Sequence, residues 1–356
     1  MVTAFATTTT TTLSSSSSNK KAITTATPPA GIRQGWFTET EALWPGQKFS
    51  LALDEFSNKS ILFQTESDFQ SVLVFRSAQY GNVLVLDGVI QLTERDEFSY
   101  HEMMTHIPLC SHPHPARILI VGGGDGGILR EVCRHDTVSE ICVVEIDATV
   151  VAVAREFFKN STAVCLDDPR VRLVHQDAAE FMADTANADY WDVIIGDTSD
   201  AVGPAESLFQ PAFYECMYQN LRPSGIICMQ GECFWIHLQL IADLTECCRD
   251  IFDSAEYCST MVPTYPCGQI GFILATKNLA TGTCRKPVRR PAFVDNLQWY
   301  SPAMHRAAFT LPPFVLKELE QNYTGRPVDG VDDNDDDDDE EVYTCFLGNA
   351  PPCSIL

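Results

Sequence analysis

Several features are scarce or missing in this sequence of 356 residues, and each absence excludes a class of protein. No apolar run approaches the ~18 residues that a membrane-spanning helix needs, so a membrane protein is not expected. Basic residues number 24 against 48 acidic ones; the formal net charge of −24 argues against a nucleic-acid partner and suits a cationic substrate. The 14 cysteines include no C-x-x-C pair, and no signal peptide is recognised, which predicts mostly buried, reduced thiols in a cytoplasmic protein.

The two ends of the chain have compositions that do not build a core. Residues 1–31 are rich in Thr, Ser and Ala, with homopolymer runs at 7–12 and 14–18, and we expect them to be disordered. A transit peptide is the alternative for this segment because it lacks acids, although no arginine precedes Arg33. Residues 325–356 are expected to be a solvated acidic tail. Positions 329–341 hold ten acids and no base, and the rest of the chain still carries a formal charge of −14.

A glycine-rich turn follows residues 118–121, a short β-branched apolar run that is typical of a strand buried on both faces. Gly122, Gly124 and Gly127 fit the pattern G-x-G-x-x-G, and apolar residues then recur at helical spacing, so a strand-to-helix turn is predicted. A second apolar strand carries Glu145 about 20 residues further on, where an acid typically accepts hydrogen bonds from ribose hydroxyls. The pattern therefore predicts a nucleoside site.

Asp125 narrows the kind of nucleoside. It lies within the glycine turn, where a dinucleotide site would place main-chain N–H groups against a pyrophosphate. A carboxylate at that position repels phosphate and attracts a cation. We therefore expect a positively charged nucleoside, such as a sulfonium, rather than NAD.

Secondary-structure signals divide the rest of the chain into two predicted domains. Residues 32–97 contain four short β-type runs separated by turn signals and are expected to form a small antiparallel domain, followed by a helix at 94–108. Residues 98–324 alternate strands and helices from residue 117 on, which predicts an α/β fold with a parallel, doubly wound, Rossmann-like sheet. Such sheets bind ligands at the carboxyl ends of their strands, where this chain has six polar residues: Asp125, Glu145, Asp177, Asp197, Asp200 and Gln230.

Asp197 and Asp200 follow another apolar strand, at 192–195. Two carboxylates three residues apart beside a nucleoside pocket can hold an ammonium group or accept its proton. The same two residues can instead cap the next helix or form an Asx-turn, and the residues alone leave both interpretations open.

Five longer motifs together resemble the spermidine synthases, a family of polyamine aminopropyltransferases, over roughly residues 32–320. They are the segment Tyr80 to Tyr100 (Tyr-Gly-Asn-Val-Leu-Val-Leu-Asp-Gly-Val-Ile-Gln-Leu-Thr-Glu-Arg-Asp-Glu-Phe-Ser-Tyr), Gly122 to Gly127, Asp197-x-Ser-Asp, Gln230-Gly-Glu, and Pro263-Thr-Tyr-Pro-x-Gly-Gln-Ile-Gly-Phe272. The resemblance implies a β-stranded N-terminal domain before a methyltransferase-type α/β domain. It also implies transfer of an aminopropyl group from the co-substrate decarboxylated S-adenosylmethionine to putrescine, with no metal or prosthetic group, in a homodimer or homotetramer.

Site residues follow from this resemblance, position by position. It assigns the donor nucleoside to Gln70, His101, Gly122, Gly124, Asp125, Glu145, Asp177 and Ala178, with Glu145 at the ribose and Asp125 near the aminopropyl end. It assigns the attacking amine to Tyr100 and Asp197, with Asp197 as the general base. It assigns the putrescine channel to Asp200, Gln230 and Tyr265, with Trp44, Leu86 and Ile270 as apolar walls. Ordinary core packing is the alternative for the aromatic residues, most of all for Trp44.

Three positions depart from the family pattern, and several activities stay open. Ala201 stands where proline is usual, His101 where glutamine is expected, and Ala178 where glycine is usual. The alternative activities are a spermine or thermospermine synthase, a putrescine N-methyltransferase, and a catalytically silent regulatory paralogue. Asp125 disfavours the methyltransferase, because the carboxylate of the intact donor would face a like charge.

Overall fold

The computed structural model describes residues 31–39, 46–55, 59–198 and 208–321, and the structural statements below concern these residues. Trp44, Asp200 and Ala201 lie outside them, as do residues 1–30 and 322–356. The expectations for these residues therefore stay predictions.

The N-terminal part contains two antiparallel sheets. The first is made of β1 (Ile32–Arg33), β2 (Trp36–Thr38) and β3 (Ser50–Ala52), and the second of β4 (Ile61–Glu66), β5 (Ser71–Ser77), β6 (Gly81–Leu86) and β7 (Val89–Thr93). The four β-type runs in the sequence correspond to β3, β4, β5 and β6, whereas the sequence pattern misses β1, β2 and β7. Asp87 and Gly88 join β6 to β7 with φ angles of 47° and 79°, as a tight hairpin requires.

Strand β5 is buried on both of its faces. Leu73 and Phe75 pack in a small core within the N-terminal part. Val72 and Val74 pack in the larger core, which also contains residues of the strand that begins at Arg117. Successive side chains of a strand point to opposite faces, so an uninterrupted apolar run is what such a position requires.

Helix α1 (Glu97–Ser111) follows β7, and fourteen of its fifteen residues are buried. The sequence predicts this helix three residues too early at both ends, because Pro108 is interpreted as its stop. Pro108 instead lies inside the helix. Proline removes one main-chain donor, but Leu109 and Cys110 beyond it are fully buried, so tertiary packing favours continuation.

The C-terminal part is built on a seven-stranded sheet. Its strands, in spatial order, are β10 (Val171–Val174), β9 (Glu140–Val144), β8 (Arg117–Gly122), β11 (Trp191–Asp197), β12 (Leu221–Gln230), β14 (Gln269–Thr276) and β13 (Ser254–Met261). The first five are parallel, and the expected Rossmann-like α/β fold is confirmed. The remaining helices are α2 (Gly127–Cys133), α3 (Ala148–Phe157), α4 (Ala178–Ala183), α5 (Pro211–Asn220), α6 (Leu238–Ile251), α7 (Pro302–Ala307) and α8 (Pro313–Gln321). None of the helices in the described ranges has the length and apolar character that crossing a membrane requires.

One edge of this sheet corrects the expectation of a wholly parallel arrangement. Strand β14 runs antiparallel to both β12 and β13. The sequence pattern misses β13, because polar residues such as Glu256 and Ser259 interrupt its apolar ones. Since only the short turn at 262–268 separates β13 from β14, the two strands form a hairpin, and β14 must reverse direction.

The order of the strands reverses between β8 and β11, which lie side by side at the centre of the sheet. Their carboxyl ends are joined by a hydrogen bond from Gly123 N to Asp197 O of 3.1 Å. Crevices at such switch points are where open α/β sheets bind ligands. The fold thus brings the glycine turn and Asp197 to one place.

Candidate active site

The glycine turn needs glycine at specific positions. Gly122 has a φ of +76°, and a Cβ there would run into the carbonyl oxygen of Asp197. A Cβ on Gly124 would lie 2.8 Å from Cγ of Glu145. Both glycines therefore allow β8 and the residues beyond β9 and β11 to approach closely, and the predicted strand-to-helix turn is confirmed.

Glu145 lies just beyond β9 and is 8% exposed. Its side chain accepts hydrogen bonds from Gly124 N at 3.1 Å and Asp147 N at 2.9 Å. Burial raises its pKa to about 7, although these two N–H donors act in the opposite direction and Asp147 and Asp125 add to the rise. The carboxyl group is thus anchored to the backbone. It lines a cavity, described below, where its remaining acceptor sites can accept hydrogen bonds from hydroxyl groups.

Gln70 lines the same cavity, and Asp147 holds its side chain in place. The Gln70 side-chain amide donates to Asp147 Oδ2 at 3.0 Å, and Ser67 Oγ donates to the same oxygen at 2.7 Å. The other oxygen of Asp147 caps α3 through Thr149 N at 2.8 Å. Burial raises the pKa of Asp147, but the hydrogen bonds from Gln70 and Ser67 outweigh that effect and hold it below its usual value. The sequence analysis misses Asp147, although its place directly before a helix is a recognisable capping signal.

Asp177 and Ala178 lie at the start of α4. The Asp177 side chain accepts a hydrogen bond from Ala179 N at 2.7 Å and so caps this helix. Both residues also line the cavity. The capping bond uses one carboxylate oxygen, so the second oxygen is the one that is available to a ligand.

Tyr100 and Asp197 form a direct pair on the other side of the glycine turn from Glu145, because β9 and β11 flank β8. The Tyr100 hydroxyl donates to Asp197 Oδ1 at 2.7 Å. Burial raises the pKa of Asp197 to about 6, and the nearby Asp125 adds to the rise, while His101 and Tyr100 oppose it. The ring of Tyr100 also packs against Tyr265, with ring centroids 5.8 Å apart. Asp197 is therefore a carboxyl group of increased basicity with one oxygen occupied by a hydroxyl.

His101 is held between acidic groups. Its Nδ1 lies 2.6 Å from Oε2 of Glu97, and its Nε2 lies 3.7 Å from Oδ1 of Asp125. Burial lowers the pKa of His101, but Asp125, Glu97 and Asp197 more than offset this and raise it to about 9. The ring is therefore protonated at neutral pH. Arg130 fixes the Glu97 carboxylate with two hydrogen bonds of 2.7 and 2.8 Å.

His101, Asp125 and Asp197 also have the spacing of a possible cation site, with one ligand atom from each lying within 4.8 Å of the others. A metal ion requires neutral imidazole, whereas the raised pKa of His101 keeps this ring charged. The carboxylates of Asp125 and Asp197 can also attract an organic cation, whose binding does not require His101 to lose its proton.

One cavity of about 350 Å³ collects these groups. Fourteen of the residues that the resemblance assigns to the site line it: Gln70, Leu86, Tyr100, His101, Gly122, Gly124, Asp125, Glu145, Asp177, Ala178, Asp197, Gln230, Tyr265 and Ile270. The other two assigned residues, Trp44 and Asp200, lie outside the described residues. The individual roles stay predictions.

The cavity wall also contains residues that the sequence analysis does not assign. Glu232 and Cys233 lie in the loop after β12, Gln91 lies in β7, and Gln269 is the first residue of β14. Glu232 is buried, has a φ of 63°, and its carboxylate lies 3.0 Å from Nδ1 of His237. Glu232 is the last residue of the quoted Gln230-Gly-Glu motif, which was a signal that could have given it a role. Gln91 contributes its main-chain oxygen, which accepts a hydrogen bond of 2.7 Å from the Tyr265 hydroxyl.

Comparison with known proteins finds two matching family models and several similar proteins, and these are described as spermidine synthases. The family model described as the spermidine synthase tetramerisation domain matches residues 35–94, and that of the spermine/spermidine synthase domain matches residues 97–285. Spermidine synthase 2 of Arabidopsis thaliana is 46% identical over 302 residues, which cover 82% of this chain and 86% of that protein. Spermidine synthase of Dictyostelium discoideum is 46% identical over 290 residues, covering 81% and 98%.

Solved structures agree with these relatives. The crystal structure of a spermidine synthase in complex with the transition state analogue AdoDATO is 31% identical, with a TM-score of 0.73, and covers 81% of this chain and 96% of that one. The spermidine synthase from Thermotoga maritima has a TM-score of 0.72 at the same identity and coverage. The match to the spermine/spermidine synthase domain spans the glycine turn and Asp197, and the chain belongs to the spermidine synthase family.

Proposed function

We propose that this chain is a spermidine synthase, which transfers an aminopropyl group from decarboxylated S-adenosylmethionine to putrescine and releases spermidine and 5′-methylthioadenosine. The observation that carries the proposal is the cavity, which has Glu145 on one side of the glycine turn and the Tyr100–Asp197 pair on the other, with Asp125 in the turn itself. Membership of the family supports the same reaction.

The donor would be held along the length of the cavity. In this proposal Glu145 accepts hydrogen bonds from the ribose, Gln70 and Asp177 contact the nucleoside, and Asp147 holds Gln70 in place. Gly122 and Gly124 allow Asp197 and Glu145 to approach the turn closely. Asp125 then attracts the positively charged aminopropyl end, since opposite charges about 4 Å apart gain several kcal/mol at an effective dielectric of 20.

The reaction needs an amine in line with the carbon–sulfur bond. The positive sulfur makes its neighbouring methylene electrophilic, and a positioned amine attacks that carbon. The new C–N bond forms as the C–S bond breaks, and the bonding pair leaves on sulfur, which becomes the neutral thioether of methylthioadenosine. The proton of the attacking nitrogen goes to Asp197 and then to solvent.

Asp197 would be the general base of this step. An alkylammonium with a pKa near 10.4 resists deprotonation at pH 7 by about 4–5 kcal/mol, so acceptance of its proton during the reaction lowers the barrier. The pKa of about 6 makes Asp197 a stronger base than an ordinary aspartate, while it stays largely ionised at neutral pH. Because Tyr100 occupies Oδ1, the amine would meet Oδ2.

Two further parts of the proposal concern assembly and location. We infer a homodimer or homotetramer, supported by the match of residues 35–94 to a tetramerisation domain. The proposed division into domains at 32–97 and 98–324 is close to the limits of the two family matches. The twelve cysteines in the described residues are free, which supports a reducing, cytoplasmic location.

One assay tests the reaction. The purified chain is incubated with decarboxylated or intact S-adenosylmethionine and with putrescine or spermidine as the amine, and the products are identified by mass spectrometry. Spermidine and methylthioadenosine from the decarboxylated donor and putrescine are the expected products. Spermine or thermospermine, N-methylputrescine, or no product would instead support the three alternatives in turn.

Asp125→Asn tests the donor preference in the same assay. The amide can still accept the hydrogen bond of 2.6 Å from Gly127 N, so the turn is preserved while the charge is lost. We expect the affinity for the decarboxylated donor to fall at least tenfold, and the gap to the intact donor to narrow. Unchanged relative affinities for the two donors in calorimetry would remove Asp125 from this role.

A further inference from the structure

Two thiols meet at the rim of the cavity. Cys233 lies in the loop after β12, is 3% exposed and lines the cavity. Cys267 lies in the turn before β14 and is exposed to solvent. The two thiols interact with each other, and Cys267 Sγ also lies 3.5 Å from Nε2 and 3.6 Å from Oε1 of Gln47. Neither cysteine has a part in the proposed transfer.

The backbone around both cysteines is held in place. Gly231 N donates to Gly271 O at 2.8 Å, and Phe234 N donates to the Gln269 side chain at 3.1 Å, so the loop is fastened to β14. Cys267 has a φ of 56° and a ψ of 10°, the left-handed region that residues other than glycine seldom adopt. The two thiols therefore lie on two segments that are already joined by hydrogen bonds.

We propose that Cys233 and Cys267 are a thiol modification site at which a small peroxide, such as hydrogen peroxide, forms a reversible disulfide. The inference goes beyond the proposed transfer reaction, although its effect on activity rests on that reaction. Accessible cysteines with a second thiol in contact are the usual setting of this chemistry.

The exposed and the buried sulfur would take different parts. The Cys267 thiolate attacks one peroxide oxygen, the O–O bond breaks, and hydroxide leaves as water after taking a proton. Cys267 is thereby oxidised by two electrons to a sulfenic acid. Cys233 then loses its proton and attacks the Cys267 sulfur, so that the S–S bond forms, the S–O bond breaks and a second water leaves. Burial raises the pKa of Cys233 to about 11, which suits it to the second step rather than the first.

The disulfide would change the amine side of the cavity. A non-bonded contact between two sulfurs shortens to about 2.05 Å in a disulfide, which draws the two segments together by about 1–2 Å. The turn that moves also carries Tyr265 and Pro266, both of which line the cavity. A misplacement of about 1 Å near reacting groups is enough to lower rates by one or two orders of magnitude.

The chain offers a matched control in a second pair of contacting thiols. Cys133 at the end of α2 and Cys165 in the short helix at 163–165 are also hydrogen-bonded. The bond from Cys133 lowers the pKa of Cys165 to about 7, so this pair is the more reactive by its acidity. Neither residue lines the cavity.

The experiment treats the full chain with hydrogen peroxide, alkylates the remaining thiols and maps the peptides by mass spectrometry. Wild type, Cys267→Ser and Cys165→Ser are compared, before and after dithiothreitol. We expect a Cys233–Cys267 cross-linked peptide in wild type and in Cys165→Ser, and none in Cys267→Ser. In the same two proteins kcat/KM for the amine should fall at least tenfold and recover with dithiothreitol, while methylthioadenosine binding stays within twofold.

Several outcomes would overturn the proposal. Cys267 recovered alkylated, or oxidised to a sulfinic acid without the cross-link, rules out the disulfide. A cross-link that leaves kcat/KM for the amine unchanged rules out its effect on the cavity. Loss of activity in Cys267→Ser but not in Cys165→Ser assigns the effect to the second pair. If the untreated chain has no transferase activity, the proposed function fails, and the cross-linked peptide still decides whether the modification site exists.

Discussion

The residues on the two sides of the glycine turn, called here the nucleoside end and the transfer end of the cavity, are held in different ways. At the nucleoside end, Glu145, Asp147 and Asp177 each follow a strand, and each accepts a hydrogen bond from a main-chain N–H. At the transfer end, side chains from separate elements contact one another: Tyr100 and His101 from α1, Asp125 from the glycine turn, and Asp197 from β11. The nucleoside end is thus held by main-chain N–H donors, whereas at the transfer end charged side chains act on one another, and only Asp125 among these four also accepts a described main-chain hydrogen bond, from Gly127 N.

This difference predicts that substitutions at the two ends have different effects, on ligand affinity at one end and on the reaction rate at the other. A carboxyl group held by main-chain N–H donors keeps its position when a neighbour changes, so a substitution at the nucleoside end should alter mainly affinity. At the transfer end, His101 lowers the pKa of Asp197 while Asp125 raises it. A substitution there should therefore alter the rate and its dependence on pH.

Asp197→Asn is the strongest test of the comparison. Asparagine keeps the shape and can accept the Tyr100 hydroxyl, but it cannot take a proton or balance the positive charge. Loss of a general base lowers rates by about 10²–10⁴, so we expect kcat to fall at least a hundredfold, with methylthioadenosine binding little changed. Single-turnover kinetics under saturating donor measure this. A variant that keeps more than a tenth of the chemical rate would move proton acceptance elsewhere, with Tyr100 or a bound water as the next candidates.

His101→Gln should have a smaller effect that depends on pH. Wild-type kcat/KM should fall about tenfold per unit below pH 6, because Asp197 has a pKa of about 6 and must be ionised to accept a proton. Glutamine can still contact Glu97 but carries no charge, so the lowering effect of His101 on the pKa of Asp197 is lost. The acid limb should then move to higher pH, with activity reduced about tenfold at pH 6 and less at pH 8. An unmoved limb in the pH profile would separate His101 from Asp197.

Glu145→Gln probes the nucleoside end, where we expect the affinity for methylthioadenosine to change about three- to tenfold and kcat to stay nearly unchanged.

The effect of Glu145→Gln on the stability of the fold has a defined sign. The pKa of Glu145 rises from 4.5 to about 7 on folding, so the carboxylate opposes folding increasingly as the pH rises from about 4.5 to 7. The variant should thus gain thermal stability relative to wild type at pH 8, by an amount on the order of 1–3 kcal/mol, and lose that gain at pH 5. A gain that is equal at both pH values would contradict this account.

Truncation after Tyr323 should have the smallest effect, because the removed segment contains none of the residues assigned to the site. The removed residues include the ten acids at 329–341 and lie beyond both family matches. Turnover should stay within about twofold, and solubility should fall as the net charge drops. A folded truncated chain with strongly reduced turnover would show that this segment contributes to the reaction.

Much of the fold was predictable, for reasons that differ between elements. Four of the five parallel strands contain apolar runs that are buried on both faces, the exception being the edge strand β10, and such runs are recognised in isolation. Strand β13 was missed because Glu256 and Ser259 interrupt its apolar residues, and α1 was displaced because Pro108 is normally a stop signal. In both cases burial by the surrounding structure outweighed a local preference.

The sequence by itself determined which groups meet at the carboxyl edge of the sheet. The glycine turn, Glu145, Asp177 and Asp197 each follow a strand, and parallel strands bring those ends together whatever their spatial order. Glycine at 122 and 124 is likewise a local requirement, since no other residue leaves space for the close approach of Asp197 and Glu145.

Only the tertiary structure decided the charge states and the partners of these groups. Glu97, His101 and Arg130 form one ionic cluster, Gln70 binds Asp147, and Cys233 meets Cys267, although 33, 77 and 34 positions separate the ends of these sets. Spacing along the chain carries no information on such contacts. Burial and Coulomb interactions depend on distance in space, so the pKa values of Asp197 and His101 are set by packing between elements and not by any motif.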